Sequence, residues 1–190
     1  MKKILLFLTA FLLTITALAQ NEQHLQFKGI PIDGNYKTFS QELVNKGLRI
    51  VESTDDYIVL TGSFAGQMNT DILVYPDPST KIVTSVVAML KVEGKWGHIE
   101  NLYNGKVDLY KEKYGLPTEQ TEGFTDDVYS DYSRVKALEN GQCNYKTTWV
   151  VNGGEISILP CYVDRNYYIL CAYRDSVNTE AYHQSIIDDI

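Results

Sequence analysis

Side chains able to act as acids or bases near neutral pH are few in this chain and widely separated. Histidine is the usual general base in that pH range, and the sequence contains only His24, His98 and His183. The motifs H-E-x-x-H and G-x-S-x-G, the phosphate-binding glycine loop and the dinucleotide fingerprint are absent from the sequence. The sequence therefore indicates no particular catalytic residue.

Acidic residues offer two further candidates for chemistry. Asp126, Asp127 and Asp131 are close together, but their spacing does not match the alternating ligands of an EF-hand, and the glycine of its turn is missing. Asp55 and Asp56 are typical of a turn between strands. Carboxylates that cleave glycosidic bonds lie about 5 to 10 Å apart in space. The sequence alone does not give the distance between two carboxylates. We therefore predict no metal site and no cofactor, with an unfamiliar hydrolase as an alternative function.

The three cysteines, Cys143, Cys161 and Cys171, occur in the last third of the chain. No C-x-x-C pair is present to indicate a redox site or a zinc ribbon. If the last three strands form a meander, Cys161 lies on the middle strand and the outer strands are about 9 to 10 Å apart. A disulfide needs Cα atoms within about 7 Å, so an intrachain bridge would include Cys161. Three free, buried thiols are an equal alternative.

Aromatic side chains are the remaining candidates for binding. The chain has 14 Tyr and 2 Trp, and many lie in the carboxy-terminal strands. We select Trp149 and Tyr168 as candidate binding residues, because amphipathic rings on an exposed sheet face can hold a sugar or a protein. The competing interpretation is packing, since tyrosine suits half-buried sheets.

The first nineteen residues are typical of a secretory signal peptide. A basic start at Lys2 and Lys3 precedes an apolar run, and Ala17-Leu18-Ala19 supplies the small residues of a cleavage site. The run is shorter than the roughly 18 to 20 residues of a spanning helix, and the cysteine needed for lipid attachment does not follow it. We expect cleavage before Gln20, no membrane insertion afterwards, and a periplasmic or secreted protein consisting of one domain, residues 20–190.

The charge of the mature chain excludes one class of partner. Lys2 and Lys3 are lost with the signal, which leaves 15 basic and 24 acidic residues and a net charge of −9. So acidic a surface repels phosphate backbones. We expect no nucleic-acid binding.

Two segments show helical periodicity. Residues 35–46 place Tyr36, Phe39 and Leu43 on one stripe, and residues 96–114 do the same with six apolar or aromatic residues. Gly47 and Gly115 are expected to end these helices, because glycine accepts the left-handed conformation that follows a helix.

Most other apolar segments are typical of short strands. The predicted strands are 48–51, 57–61, 70–75, 81–91, 145–151, 155–163 and 167–173. Asn152-Gly153 predicts a tight hairpin. The expected fold is α+β: an antiparallel sheet of about six to eight strands with two helices packed on one face.

The order of elements is similar in both halves and is consistent with a duplicated α-β-β-β unit. Residues 119–140 are expected to be a long surface loop or an irregular edge strand, and residues 176–190 a short helix or a frayed tail.

Three segments resemble exported hypothetical proteins common in Bacteroides-type bacteria: 27–34 (FKGIPIDG), 62–66 (GSFAG) and 114–117 (YGLP). The resemblance covers most of the mature chain and implies an α+β fold and export. Export, the acidic surface, the scarcity of histidine, the absence of catalytic motifs and the similar halves favour a small exported module that binds a protein or a glycan. The sequence does not indicate an oligomeric state.

Overall fold

The structure, a computed structural model, describes residues 23–128 and 130–188; the predicted signal peptide at 1–19 lies outside them. The described helices are α1 (Tyr36–Asn45), α2 (Trp96–Tyr114), α3 (Asp131–Glu139) and α4 (Ser176–Asp188). The described strands are β1 (Gln26–Phe27), β2 (Ile30–Pro31), β3 (Arg49–Ser53), β4 (Ile58–Phe64), β5 (Gln67–Pro76), β6 (Val83–Val92), β7 (Glu119–Thr121), β8 (Lys146–Val151), β9 (Gly154–Val163) and β10 (Asn166–Asp175).

Eight of these strands form one sheet in the order β3-β4-β5-β6-β10-β9-β8-β7, and β1 and β2 form a separate hairpin. All pairings between the described strands are antiparallel. The predicted α+β class and antiparallel sheet are confirmed. The predicted turn at Asn152-Gly153 joins β8 to β9, with Gly153 at φ 87°.

The sheet consists of two halves with the same order of elements. In the first half α1 precedes β3 to β6, and in the second α2 precedes β7 to β10. The last strands of the halves, β6 and β10, pair at the centre, so the strand order of the second half mirrors that of the first. Each half therefore has four strands rather than the three of the predicted unit.

The predicted helices cover one face of the sheet. Their buried side chains belong to one hydrophobic core together with alternate residues of the central strands. The register aligns Ile72, Ala88, Cys171 and Ile158 across four neighbouring strands, and all four are fully buried. That alignment identifies the face of the sheet that the helices cover. The residues that alternate with these four along each strand point to the opposite face.

The segment at 119–140 differs from expectation. Its first residues form β7, an exposed three-residue edge strand, whereas residues 131–139 form the unpredicted helix α3. Ser130 and Ser133 cap this helix reciprocally. The sequence signal is weak because serine replaces the Glu or Gln usual at the third helical position.

The carboxy-terminal tail forms α4, and a buried carboxylate fixes its start. Asp175 is fully buried. One of its oxygens accepts a hydrogen bond from the Leu25 backbone N–H (2.8 Å), and the other accepts one from the Asn178 N–H (2.9 Å). His24 Nδ1 lies 3.2 Å from the latter oxygen. Asp175 therefore joins the first described residues of the chain to the end of the sheet.

Candidate functional site

The uncovered face of the sheet has an apolar centre. Across the central strands, Leu73, Val87 and Ala172 form one row, and Met89, Leu170 and Leu159 form the next. Val59 extends the first row onto β4. Every one of these side chains is partly exposed, in contrast to their buried neighbours along the same strands. We call this surface, with the residues that surround it on the same side of the sheet, the open face.

Charged residues surround the apolar centre in equal numbers of each sign. The strand register places eight of them on this side: the basic residues Arg49, Lys91, Lys146 and Arg174 and the acidic residues Glu52, Asp71, Glu119 and Glu155. Arg174 and Glu155 are paired, with nitrogen and oxygen 3.1 Å apart. The chain as a whole carries a net charge of −7. The strand residues of the open face are therefore balanced in charge, whereas two turn carboxylates, Asp164 and Asp56, lie near its tyrosines Tyr168 and Tyr57.

The two candidate binding residues lie on opposite sides of the sheet. Tyr168 is on the open face, half-buried, between Lys91 and Cys161 on the neighbouring strands. Trp149 is on the covered face with 1% of its surface exposed. Its indole Nε1–H donates a hydrogen bond to the Gly115 carbonyl oxygen at 3.0 Å. In this fold Trp149 belongs to the core and does not share a surface with Tyr168.

Two other tyrosines belong to the open face and were not selected from the sequence. Tyr57 and Tyr75 approach with ring centroids 6.3 Å apart. The Tyr57 hydroxyl donates a hydrogen bond to Glu52 at 3.0 Å, and this bond is the main reason that its pKa is raised. Both tyrosines alternate with the buried residues Ile58 and Val74, which is the only sequence signal that could have assigned them to this face.

Among the described residues, the acid and base candidates lie in separate parts of the fold. His24 lies beside Asp175 and Asp33, and exposed His98 lies 3.2 Å from Glu93. Asp55 and Asp56 lie in the turn between β3 and β4, on the opposite half of the sheet from the segment that contains Asp126 and Asp131. Within residues 23–128 and 130–188, His, Cys, Asp and Glu form no group of three or more that could hold a metal ion.

The three cysteines are free thiols, as one of the two alternatives from the sequence proposed, although only Cys171 is fully buried. Cys161 projects from the open face and Cys171 from the covered face, so these two thiols of the last hairpin lie on opposite sides of the sheet. Burial is the main reason that each thiol pKa is raised, and it raises the pKa of Cys171 to about 12. Thiolate chemistry near neutral pH is therefore disfavoured at all three positions.

Alkaline pH is expected to destabilise the fold. Burial raises the pKa values of Cys171, Tyr110 and Tyr173 above their ordinary values of 9.0 for Cys and 10.0 for Tyr. These groups ionise first in the unfolded chain, so their contribution is complete below about pH 9 and is lost as pH rises towards the folded values. Each can lower the free energy of unfolding by up to about 1.4 kcal/mol per pH unit.

Urea unfolding between pH 7 and 11, with tyrosine ionisation followed at 295 nm, tests this expectation. The midpoint should be constant to about pH 9 and then fall, and part of the tyrosine absorbance should change only on unfolding. A midpoint that stays constant to pH 11 would contradict the assigned burial of these groups.

None of the described helices has the length and apolar character needed to cross a membrane. Comparisons of the chain with protein-family models, with curated proteins and with solved structures gave no match.

Proposed function

We propose that this protein is an exported binding module that uses the open face to bind another protein. The observation that carries the proposal is the partly exposed apolar centre of the sheet, formed by side chains from β4, β5, β6, β9 and β10. The predicted signal peptide supports export.

The size of this surface fits a protein partner. The seven side chains of the two rows each occupy about 4.8 Å across the strands by about 7 Å along them, and together cover roughly 240 Å². Apolar patches of a few hundred Å² on soluble proteins are often functional, and a typical interface covers about 800 Å² on each partner. The apolar rows can therefore form the centre of an interface, with the surrounding charged and aromatic residues as its rim.

The composition of the open face indicates the chemistry of the partner. Four basic and four acidic residues balance, and aliphatic side chains occupy the centre. A sugar-binding platform depends on flat aromatic rings, whereas Leu, Met and Val are suited to the apolar surface of another protein. We expect a partner surface that is apolar and carries little net charge, and an affinity that depends weakly on salt because steering between net charges is small.

Substitution at the centre of the open face tests the proposal. Partners captured by the mature domain from surface extracts are identified, purified and titrated calorimetrically against the wild type, Leu170→Glu and Leu116→Glu. Leu170→Glu should weaken binding about 30-fold or more, equivalent to about 2 kcal/mol, because a glutamate at the centre of the interface is desolvated.

Leu116→Glu is the matched control, since it adds the same charge at a leucine that is 87% exposed beyond the end of α2. It should leave the affinity unchanged, and thermal unfolding should show that both variants are folded. Equal affinities for all three proteins would contradict the proposal.

A glycan panel and a hydrolase substrate panel test the other sequence-based hypotheses, and turnover abolished by replacing one of the acidic residues would favour an enzyme.

A further inference from the structure

A cleft lies on the opposite side of the molecule from the open face, beside the carboxy-terminal half of α2. It has a volume of about 320 Å³ and is bounded by α2, β1, the turn after β1, the end of β4 and Tyr173 of β10. Cavities that hold small organic ligands begin at about this volume. The cleft therefore has room for one small molecule.

The floor of the cleft consists of aromatic rings. Phe64, Tyr110 and Tyr173 line it and are 8%, 5% and 5% exposed. The hydroxyl groups of Tyr110 and Tyr173 lie 2.5 Å apart and bond to each other. One hydroxyl donates to the other, and Tyr110 also bonds to the Cys171 thiol. The floor therefore offers mainly ring surface to a ligand. Leu109, which is 44% exposed, extends the apolar lining to the rim.

Lysines surround this apolar floor. Lys28 and Lys113 line the cleft, and Lys106 donates a hydrogen bond to the carbonyl oxygen of Ala65, another lining residue, at 2.6 Å. Among the ion pairs of the described residues, none within 4.0 Å includes these three lysines. No carboxylate is among the residues that line the cleft. The cleft is therefore a basic site in a chain whose net charge is −7.

The two lining ammonium groups retain donors for a ligand. Lys28 Nζ donates one hydrogen bond, to the Ser63 carbonyl oxygen at 3.1 Å. Lys113 Nζ lies 4.8 Å from the centre of the Tyr114 ring. An ammonium group has three donors, so each can bind an anion without breaking these contacts.

We propose that this cleft binds a small organic carboxylate with an apolar body. The carboxylate accepts charge-assisted hydrogen bonds from Lys28 and Lys113 at the rim, and the body lies on the rings of Phe64, Tyr110 and Tyr173. A neutral molecule of the same shape lacks the ionic bonds, and a small inorganic anion does not use the apolar floor. The site is separate from the open face. Carboxylate binding in the cleft can therefore be supported or contradicted independently of protein binding by the open face.

Calorimetric titration of the mature protein with octanoate and 3-phenylpropanoate tests the site. Either the aliphatic or the aromatic carboxylate should bind with saturation, and the preferred one distinguishes the kind of body that the floor accepts. The corresponding amide, octanamide or 3-phenylpropanamide, should bind at least tenfold more weakly. Absence of saturable binding by both carboxylates up to 10 mM would overturn the proposal, as would equal affinity for acid and amide.

Three variants localise the binding. Lys113→Gln removes one cation from the rim and should weaken carboxylate binding about tenfold. Leu109→Glu introduces a negative charge at an exposed position of the same rim and should abolish binding while leaving the fold intact. Lys111→Gln is the matched control, because it makes the same charge change on α2 at a residue that does not line the cleft. If Lys111→Gln weakens binding as much as Lys113→Gln, the site is not in the cleft.

Discussion

Replacement of Asp175 by alanine is expected to lower the free energy of unfolding by about 4 kcal/mol or more. The substitution leaves the buried backbone N–H group of Leu25 and the partly buried N–H group of Asn178 without their acceptor. Each unsatisfied buried donor costs about 1 to 3 kcal/mol, and charge-assisted bonds are the stronger class. Asp175→Asn keeps one acceptor oxygen and should cause an intermediate loss.

Urea unfolding of the mature domain followed by circular dichroism measures the effect. Asp108→Ala is the control, because Asp108 is exposed on α2; it should change stability by no more than about 0.5 kcal/mol. If Asp175→Ala were as mild as this control, the carboxylate would not hold the amino-terminal segment and α4 to the sheet.

Trp149→Ala is expected to destabilise the protein by about 3 to 5 kcal/mol, the usual cost of removing a large aromatic side chain from a core. The indole is 1% exposed, lies 5.7 Å from the Tyr110 ring between centroids, and donates to Gly115 at the end of α2. Its removal would leave a cavity and would break the hydrogen bond to the carbonyl oxygen of Gly115. The helix would then lose a contact that fixes its carboxy-terminal end.

Tyr168→Ala provides the comparison, because Tyr168 is partly exposed on the open face. It should cost about 1 kcal/mol or less, in keeping with an aromatic contribution to a half-exposed strand. Equilibrium unfolding of both variants under the same conditions tests the difference. Equal losses of stability would contradict the difference in burial between the two aromatic residues.

The sequence predicted helices α1 and α2 and the hairpin at Asn152-Gly153, because residues close together in the chain determine where these elements begin and end. Helix α2 has the predicted bounds, 96–114, because an apolar stripe repeats along it and Gly115 follows at φ 82°. Helix α1 differs from the predicted 35–46 by one residue at each end, with Asn35 as its cap. The hairpin at Asn152-Gly153 was predictable because glycine accepts the positive φ that Gly153 adopts in the turn.

The sequence was less informative where pairing is non-local. The central contact of the sheet joins β6 to β10, which are separated by more than seventy residues, and no turn residue specifies it. The short strand β7 has no apolar alternation, and α3 buries only Val135, Ala137 and Leu138. These elements depend on the rest of the sheet and not on their own pattern.

The candidate site was only partly predictable, because it too depends on the pairing of strands that are distant in the sequence. Alternation separates the residues of each strand into two sets, but it does not state which set the helices cover. Trp149 and Tyr168 were therefore grouped by composition, although they occupy opposite faces. The open face could be recognised only once the register had aligned Leu73, Val87 and Ala172 across neighbouring strands.

Methyl cross-saturation NMR tests most directly whether the open face is the binding surface. The mature domain, labelled at Leu, Val and Met methyl groups, is observed while its purified partner is irradiated. The account predicts saturation transfer to Met89 and Leu170 at the centre of the open face, and none to Leu43 and Leu60, which are fully buried on the covered side. Transfer confined to Leu109 and Leu102 on α2, with Met89 and Leu170 unaffected, would contradict it.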